Sequence, residues 1–228
     1  MCLMQIYLLK LPSLNDVFIA NTERLKHYLH TDDYGLLAVK NNSQMASALG
    51  KIMVQYLLGK QKTNQGKISP FPFAYTKEGK PYIPMQPNFC FNISHTKEWV
   101  AVAIADNPIG IDIEMLRIYK PEVAKRFFHK DEYAFLESLL NDLRDVSFTR
   151  LWTLKESYVK CTGTGIANNF DKFAISMNST DVEITGNDTP VFFKQYNCDG
   201  LFVSACSTIN LFPNNIILLT IEEILTAL

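Results

Sequence analysis

The sequence lacks an excess of charge of either sign, with 22 basic and 23 acidic side chains in 228 residues. A protein whose main partner is nucleic acid usually carries a clear basic excess, so this balance argues against that class. The chain also lacks a run of about 20 apolar residues, which a membrane-spanning helix requires. Its apolar stretch 3–9 has no basic residue before it, so we expect a first β-strand in a cytoplasmic protein rather than a secretory signal.

Paired cysteines are also missing, because the five cysteines are odd in number and none has C-x-x-C spacing. This argues against both a disulfide framework and a zinc site. What the chain does have is 47% hydrophobic and 12% aromatic residues, enough to bury a core. Its length predicts one large domain or two small ones.

Helix and strand patterns are mixed in both halves of the chain, with runs of helices and runs of strands, which predicts an α+β fold. Apolar periodicity predicts helices over 43–58, ended by Gly59, and over 145–161, ended by Gly163. Strands are predicted on both sides of a turn at 106–108, and a last strand is predicted over 216–221. We therefore expect two halves of similar size, 1–106 and 107–228.

An acidic pair lies in the predicted strand 109–114, where Ile alternates with Gly, Asp and Glu. Side chains two apart in a strand share a face, so Asp112 and Glu114 are expected to point the same way. Two adjacent carboxylates repel each other, and Mg²⁺, which prefers oxygen ligands, would relieve that repulsion. The alternative is the polar face of a half-exposed strand.

The helix over 145–161 places Trp152, Glu156 and Lys160 on one face, because the three positions are four residues apart. One interpretation is a third metal carboxylate beside a phosphate-binding cation, and the other is an ordinary surface salt bridge. Ser94 and His95 are adjacent at a strand end, which is a poor fit to a nucleophile facing its base. His95 could donate a hydrogen bond to a phosphate or be structural.

These motifs occur in a fixed order along the chain, at 79–81 (GKP), 91–96 (FNISHT), 110–114 (GIDIE) and 152–160 (WTLKESYVK). Together they resemble the 4′-phosphopantetheinyl transferases, in particular the monomeric two-domain class that the surfactin synthetase activator typifies. The resemblance implies two similar, pseudo-symmetric α+β halves with the active site in the cleft between them. It also implies transfer of the 4′-phosphopantetheine group of coenzyme A to a serine of an apo acyl or peptidyl carrier protein. The products are the loaded carrier and 3′,5′-ADP.

The resemblance also implies roles for individual residues. Asp112, Glu114 and Glu156 resemble the Mg²⁺ ligands, and Glu156 also resembles the group that helps to deprotonate the carrier serine. Lys160 and His95 resemble catalytic contacts to the phosphates. The remaining coenzyme A contacts that the resemblance implies are Lys80, Pro81, Tyr82 and Ser94. It leaves open whether the carrier serves fatty acid, polyketide or nonribosomal peptide synthesis.

The sequence departs from the family where several basic residues usually precede the first long helix, since 31–50 contains only Lys40. A lysine-rich stretch, with lysines at 51, 60, 62, 67, 77 and 80, could supply the missing charge to the 3′-phosphate or could simply be solvated. Two other functions stay open at this point. One is a Mg²⁺-dependent phosphoesterase, and the other is a non-catalytic protein that binds coenzyme A or a carrier.

Overall fold

A computed structural model describes residues 4–11, 20–38, 41–63, 69–165, 170–177, 182–187, 189–198 and 200–227. The chain divides into two compact units, of which the first combines Met1–Asp106 with Pro213–Leu228 and the second is Asn107–Phe212. Within the described ranges, every helix is too short or too polar to cross a lipid bilayer.

The units contain both strands and helices, as an α+β fold requires. The strands are β1 (Gln5–Lys10), β2 (Ala74–Tyr75), β3 (Pro81–Tyr82), β4 (Cys90–His95), β5 (Trp99–Ala105), β6 (Ile109–Met115), β7 (Ala174–Met177), β8 (Val182–Thr185), β9 (Phe192–Cys198), β10 (Leu201–Ser207) and β11 (Ile217–Leu219). The α-helices are α1 (Thr22–Leu25), α2 (Asn42–Thr63), α3 (Pro121–Phe127), α4 (Lys130–Ser138), α5 (Asn141–Thr162) and α6 (Ile221–Thr226), and 3₁₀ turns cover Lys26–Tyr28 and Thr31–Leu37.

The first unit is built on a sheet with strand order β11-β1-β5-β4. Helix α2 packs on β4 and β5, and its apolar side chains, such as Leu49 and Ile52, are fully buried. The predicted end of this helix at Gly59 is wrong, because α2 continues to Thr63. The Thr63 hydroxyl donates to the Gly59 carbonyl at 3.0 Å, and Gly59 is buried within the helix. Glycine only weakens a helix, by about 1 kcal/mol relative to alanine, so the exposed residues 60–63 can continue the helix past it.

The end of the chain packs with the first unit. Strand β11 adds parallel to β1, with Leu8 opposite Leu218. Helix α6 follows directly, capped by Thr220, and the Tyr28 hydroxyl donates to the Ile224 carbonyl at 3.1 Å. The prediction that 107–228 forms one half is therefore wrong for Pro213–Leu228, and the predicted strand 216–221 is shorter and leads into a helix.

The second unit is built on an antiparallel sheet with strand order β6-β10-β9. Helix α5 packs across β6 and β10, and begins at Asn141 rather than at the predicted residue 145. It ends where predicted, at Gly163, whose φ of 71° is the left-handed conformation that glycine adopts without steric cost. One face of α5 buries Phe148, Leu151 and Leu154 in an aromatic-rich core.

Candidate active site

The acidic pair lies on β6, in the layer between the sheet and α5. Asp112 is only 5% exposed, and Glu114 is partly buried. Strand β6 is buried without a break from Ile109 to Ile113. The alternative of a half-exposed polar face is therefore wrong for Asp112, whose carboxylate lies inside the unit.

Glu156 and Lys160 face Asp112 from α5. The Lys160 Nζ lies 2.6 Å from Asp112 Oδ1 and 3.9 Å from Glu156 Oε2. Glu156 is 7% exposed, so the alternative of an ordinary surface salt bridge is wrong. The structure thus brings Lys160 to Asp112 from 48 residues away along the chain, with Glu156 one helical turn before Lys160. We call Asp112, Glu114, Glu156 and Lys160 the acidic cluster.

Gly110 allows α5 to approach β6 this closely. A Cβ at residue 110 would lie 3.0 Å from the Cys161 Cα and closer still to the Ser157 carbonyl oxygen and the Cys161 nitrogen. Any side chain larger than hydrogen would push the helix backbone away from the strand. Gly110 therefore sets the distance between the strand that carries Asp112 and the helix that carries Glu156 and Lys160.

Burial dominates the electrostatics of the acidic cluster. It raises the pKa of Glu156 to about 7; Lys160 opposes this shift, while Asp112 and Glu114 add to it. Burial and then the neighbouring Asp112 also raise the pKa of Glu114. For Lys160, burial alone would lower the pKa, but Asp112 and Glu156 outweigh it, and the net direction is upward. The cluster thus holds more negative charge than its single ammonium stabilises.

Arg117 joins the acidic cluster to the aromatic core, a role that the sequence motifs did not predict. Its Nη1 donates to Glu114 Oε1 at 2.8 Å, and its guanidinium lies 4.3 Å from the centre of the Trp152 ring. Trp152 is half-buried among Phe127, Phe128 and other rings. The Trp152 ring therefore holds a second cation, the Arg117 guanidinium, next to the acidic cluster by a cation–π contact.

The acidic cluster fits Mg²⁺ by the chemistry of its donors, which are hard carboxylate oxygens. Glu156 Oε2 is buried and accepts no hydrogen bond from the part of the chain that the structure describes. Within that same part, however, no group of three or more His, Cys, Asp or Glu side chains is already arranged around a possible metal position. The Lys160 ammonium lies at Asp112 instead.

The predicted coenzyme A contacts lie in the first unit. Lys80 follows the turn 76–79, in which the Gly79 nitrogen donates to the Thr76 carbonyl at 2.9 Å. Strand β3 then pairs with β2, leaving Tyr82 exposed. Strand β4 ends with Ser94, which is buried, and His95, which is exposed.

The lysine-rich stretch is not uniformly solvated. Lys51 forms an ion pair with Asp33, and both side chains are largely buried. Its ammonium also lies 5.2 Å from the ring of Phe73 and 5.4 Å from that of Tyr75. Lys67 lies outside the described residues. Lys51 therefore already has a carboxylate partner, which makes it a poor substitute for the missing basic residues.

A second buried ion pair, between Lys155 and Glu132, was also missed from the sequence. Lys155 is 0% exposed, and its Nζ donates to both carboxylate oxygens of Glu132, at 2.8 and 2.9 Å. Burial lowers the pKa of Lys155 to about 8, although Glu132 opposes this shift. The sequence did indicate that Lys155 is buried. It lies four residues after Leu151 and three before Tyr158, which places it on the apolar face of α5.

Comparison with known proteins shows which family this sequence is similar to. Residues 108–206 match the 4′-phosphopantetheinyl transferase superfamily. The chain is 35% identical over 182 residues to the 4′-phosphopantetheinyl transferase ffp of Bacillus subtilis, which covers 78% of this chain and 80% of that protein. It is also 35% identical to the transferase Sfp of Bacillus subtilis strain 168, with the same shares covered. The transferase gsp of Aneurinibacillus migulanus is 35% identical over 67% of this chain and 65% of its own.

Proposed function

Because this chain belongs to the 4′-phosphopantetheinyl transferase family, we propose that its acidic cluster transfers 4′-phosphopantetheine from coenzyme A to a serine of an apo carrier protein. The observation that supports this most directly is the pair of buried carboxylates, Asp112 and Glu156, on either side of the Lys160 ammonium. Acidic and cationic groups held together away from water are suited to phosphoryl transfer, in which charge shifts among phosphate oxygens.

In the proposed reaction, the serine oxygen attacks the β-phosphorus of coenzyme A. The bond from that phosphorus to the bridging oxygen breaks, and 3′,5′-ADP leaves with the electron pair. The serine proton passes to Glu156, directly or through water. A carboxylate placed beside the attacking hydroxyl can take this proton as the new bond to phosphorus forms.

Asp112, Glu114 and Glu156 are the residues that would hold Mg²⁺. Asp112 adds to the raised pKa of Glu114, and both add to the raised pKa of Glu156, so a divalent cation would offset the cost of burying these carboxylates. When bound, Mg²⁺ would supply a Lewis acid for the diphosphate. Lys160 would then contact phosphate oxygen with the ammonium that now contacts Asp112.

We also propose coenzyme A contacts from the first unit. His95 is exposed at the end of β4 and has the ring nitrogens to donate to a phosphate. Lys80, Pro81, Tyr82 and Ser94 are proposed contacts to the nucleotide end of coenzyme A. A monomeric state and a cytoplasmic location also stay predictions. Neither the phosphoesterase nor the non-catalytic alternative finds support among the relatives, which are named transferases.

Intact-mass spectrometry tests the proposed reaction. The protein, coenzyme A, Mg²⁺ and an apo carrier are expected to yield carrier heavier by one phosphopantetheine, and excess EDTA is expected to stop the reaction. Separate panels of fatty acid, polyketide and peptide carriers would show which class is preferred. Unchanged mass across all of these carriers would contradict the proposal, and full conversion in EDTA would contradict the part played by Mg²⁺.

The Lys160→Met variant tests the role of the cation. It removes the ammonium 2.6 Å from Asp112, so we expect the melting temperature of the metal-free protein to fall by about 5 °C. We expect transfer to slow by about 100-fold, because one fixed charge on the phosphate is lost. Differential scanning fluorimetry and the mass assay measure the two effects. Lys125→Met, which removes an exposed lysine on α3, is the matched control, and a wild-type rate in Lys160→Met would argue against a phosphate contact.

A further inference from the structure

We propose that the buried ion pair Glu132–Lys155 is a positioning device, which fixes the rotation of α5 and so directs Glu156 and Lys160 at Asp112. This inference rests on the proposed function, because it assigns a role in the same reaction. Glu132 and Lys155 are positioning residues and are not expected to touch either substrate.

All three protons of the Lys155 ammonium have acceptors nearby. Besides the two oxygens of Glu132, the Nζ donates to the Phe173 carbonyl at 2.8 Å, and it lies 3.9 Å from the centre of the Phe173 ring. A lysine has three donors, so its hydrogen-bonding capacity is satisfied inside the unit. The side chain therefore has a single favourable position, unlike a surface lysine that samples many rotamers.

Glu132 is held just as firmly from its own side. Its Oε1 accepts from the Ile175 nitrogen at 2.7 Å, and its Oε2 accepts from the His129 nitrogen at 2.8 Å. Ile175 lies on β7, and His129 caps the start of α4. The carboxylate thus links α4, β7 and α5 at one point, and its position is defined by the backbone of two elements.

Lys155 and Glu156 are consecutive on α5, so their side chains leave the helix about 100° apart. An anchor on Lys155 therefore determines where Glu156 points, and Lys160 lies on the same face as Glu156, one turn later. Gly110 fixes how close this turn of α5 lies to β6, since its contacts are with Ser157 and Cys161. The ion pair supplies the second constraint, on rotation.

A contribution to the stability of the fold does not by itself explain a buried ion pair such as Glu132–Lys155. Apolar residues of similar volume often replace a buried ion pair with no loss of stability, because the cost of removing two charges from water disappears with them. Directional contacts to the ammonium, in contrast, specify an orientation that apolar packing does not. Removing both charges together therefore distinguishes the two roles. A role in positioning predicts slower transfer with little change in stability, whereas a role in stability predicts the reverse.

The double variant Glu132→Gln/Lys155→Met removes both charges and so tests which role the ion pair has. We expect its melting temperature to stay within about 10 °C of wild type, because the glutamine oxygen can still accept from one of the two backbone nitrogens, at Ile175 or His129. We expect kcat to fall by about 10- to 100-fold with the KM for coenzyme A unchanged, since misaligned catalytic groups slow the chemical step. Lys130→Met removes an exposed lysine on α4 and serves as the matched control, with wild-type kinetics expected.

Tryptophan fluorescence gives a second readout that needs no substrate. The chain has two tryptophans, and in a Trp99→Phe background the emission reports on Trp152, one turn before Glu156. Rotation of α5 is expected to shift this emission in the double variant while the far-ultraviolet circular dichroism stays unchanged. Wild-type kcat together with unchanged emission in the folded double variant would overturn the proposal.

Glu132→Asp keeps the test decisive if the double variant does not fold. This change keeps the charge but withdraws the carboxylate by about one methylene, so we expect kcat to fall several-fold at unchanged KM. A wild-type kcat would overturn the positioning role. The wild-type protein separates the two proposals: if it does not load any carrier, the proposed function fails, whereas normal loading by wild type and variants alike removes only this inference.

Discussion

Replacing Glu156 by glutamine is expected to abolish transfer and, at the same time, to stabilise the metal-free fold. Glutamine keeps the size of the side chain but removes both a proposed Mg²⁺ ligand and the base. We expect the transfer rate to fall by at least about 1000-fold. The mass assay with a responsive carrier measures this loss, and a rate within a few-fold of wild type would contradict the assignment of Glu156.

The gain in stability follows from the direction of the pKa shift. Burial raises the pKa of Glu156 to about 7 in the folded protein, whereas an unfolded glutamate titrates near its usual value of about 4.3. The folded state therefore holds the proton more tightly, and wild type loses stability as the pH rises from about 4.3 to about 7. Glutamine does not ionise, so its advantage should be absent near pH 4 and largest above pH 7, on the order of 2 kcal/mol.

Thermal unfolding in EDTA tests this part of the prediction. At pH 8 the Glu156→Gln variant is expected to melt about 5 °C above wild type, and the difference is expected to vanish towards pH 4. Glu122→Gln, on the exposed side of α3, is the control and should match wild type in both rate and melting temperature. A variant less stable than wild type at pH 8 would show that Lys160 stabilises the Glu156 carboxylate more than burial penalises it.

Gly110→Ala is expected to have the largest effect on the fold. The added Cβ would overlap the backbone of α5 at Ser157 and Cys161, and backbone atoms cannot rotate away as a flexible side chain can. We expect a loss of about 3 kcal/mol or more, which lowers the melting temperature by roughly 6 to 12 °C in a protein of this size. Transfer should also fall, because the helix that carries Glu156 moves away from Asp112.

Gly35→Ala is the matched control for this substitution. A Cβ at Gly35, in the 3₁₀ turn Thr31–Leu37, would meet no atom within 4 Å. We expect it to change the stability by less than about 0.5 kcal/mol. Equal melting temperatures for the two alanine variants would contradict the close contact between β6 and α5.

Sequence patterns were reliable where the signal is local. The alternation around Asp112 predicted a strand, and the spacing of Trp152, Glu156 and Lys160 predicted one face of a helix. Gly163 was correctly predicted to end that helix. The ordered motifs predicted the family to which the chain belongs. Each of these inferences needs only the period of a helix or a strand, or the order of short segments.

The same reasoning failed where the outcome depends on packing between distant segments. Gly59 looks like a helix end, but it is buried by the rest of the first unit, and the exposed turn 60–63 stays helical after it. The last strand was assigned to the second half, yet β11 pairs with β1 in the first unit. The strand propensity of a segment does not predict which strand it pairs with, because pairing depends on which edge of a sheet the rest of the fold leaves open.

By itself, the sequence determined where the ionisable groups lie, and it predicted that the carboxylates at 112, 114 and 156 and the cation at 160 do the chemistry. Only the tertiary structure decided that Asp112 and Glu156 are buried, that Lys160 lies between them, and that Lys155 turns the other way towards Glu132. The physical reason is that the type and the spacing of charged residues are properties of the local sequence. Burial, and the pKa shifts and ion pairs that come with it, arises only when α5 packs against β6 at Gly110, which brings Lys160 to Asp112 from 48 residues away.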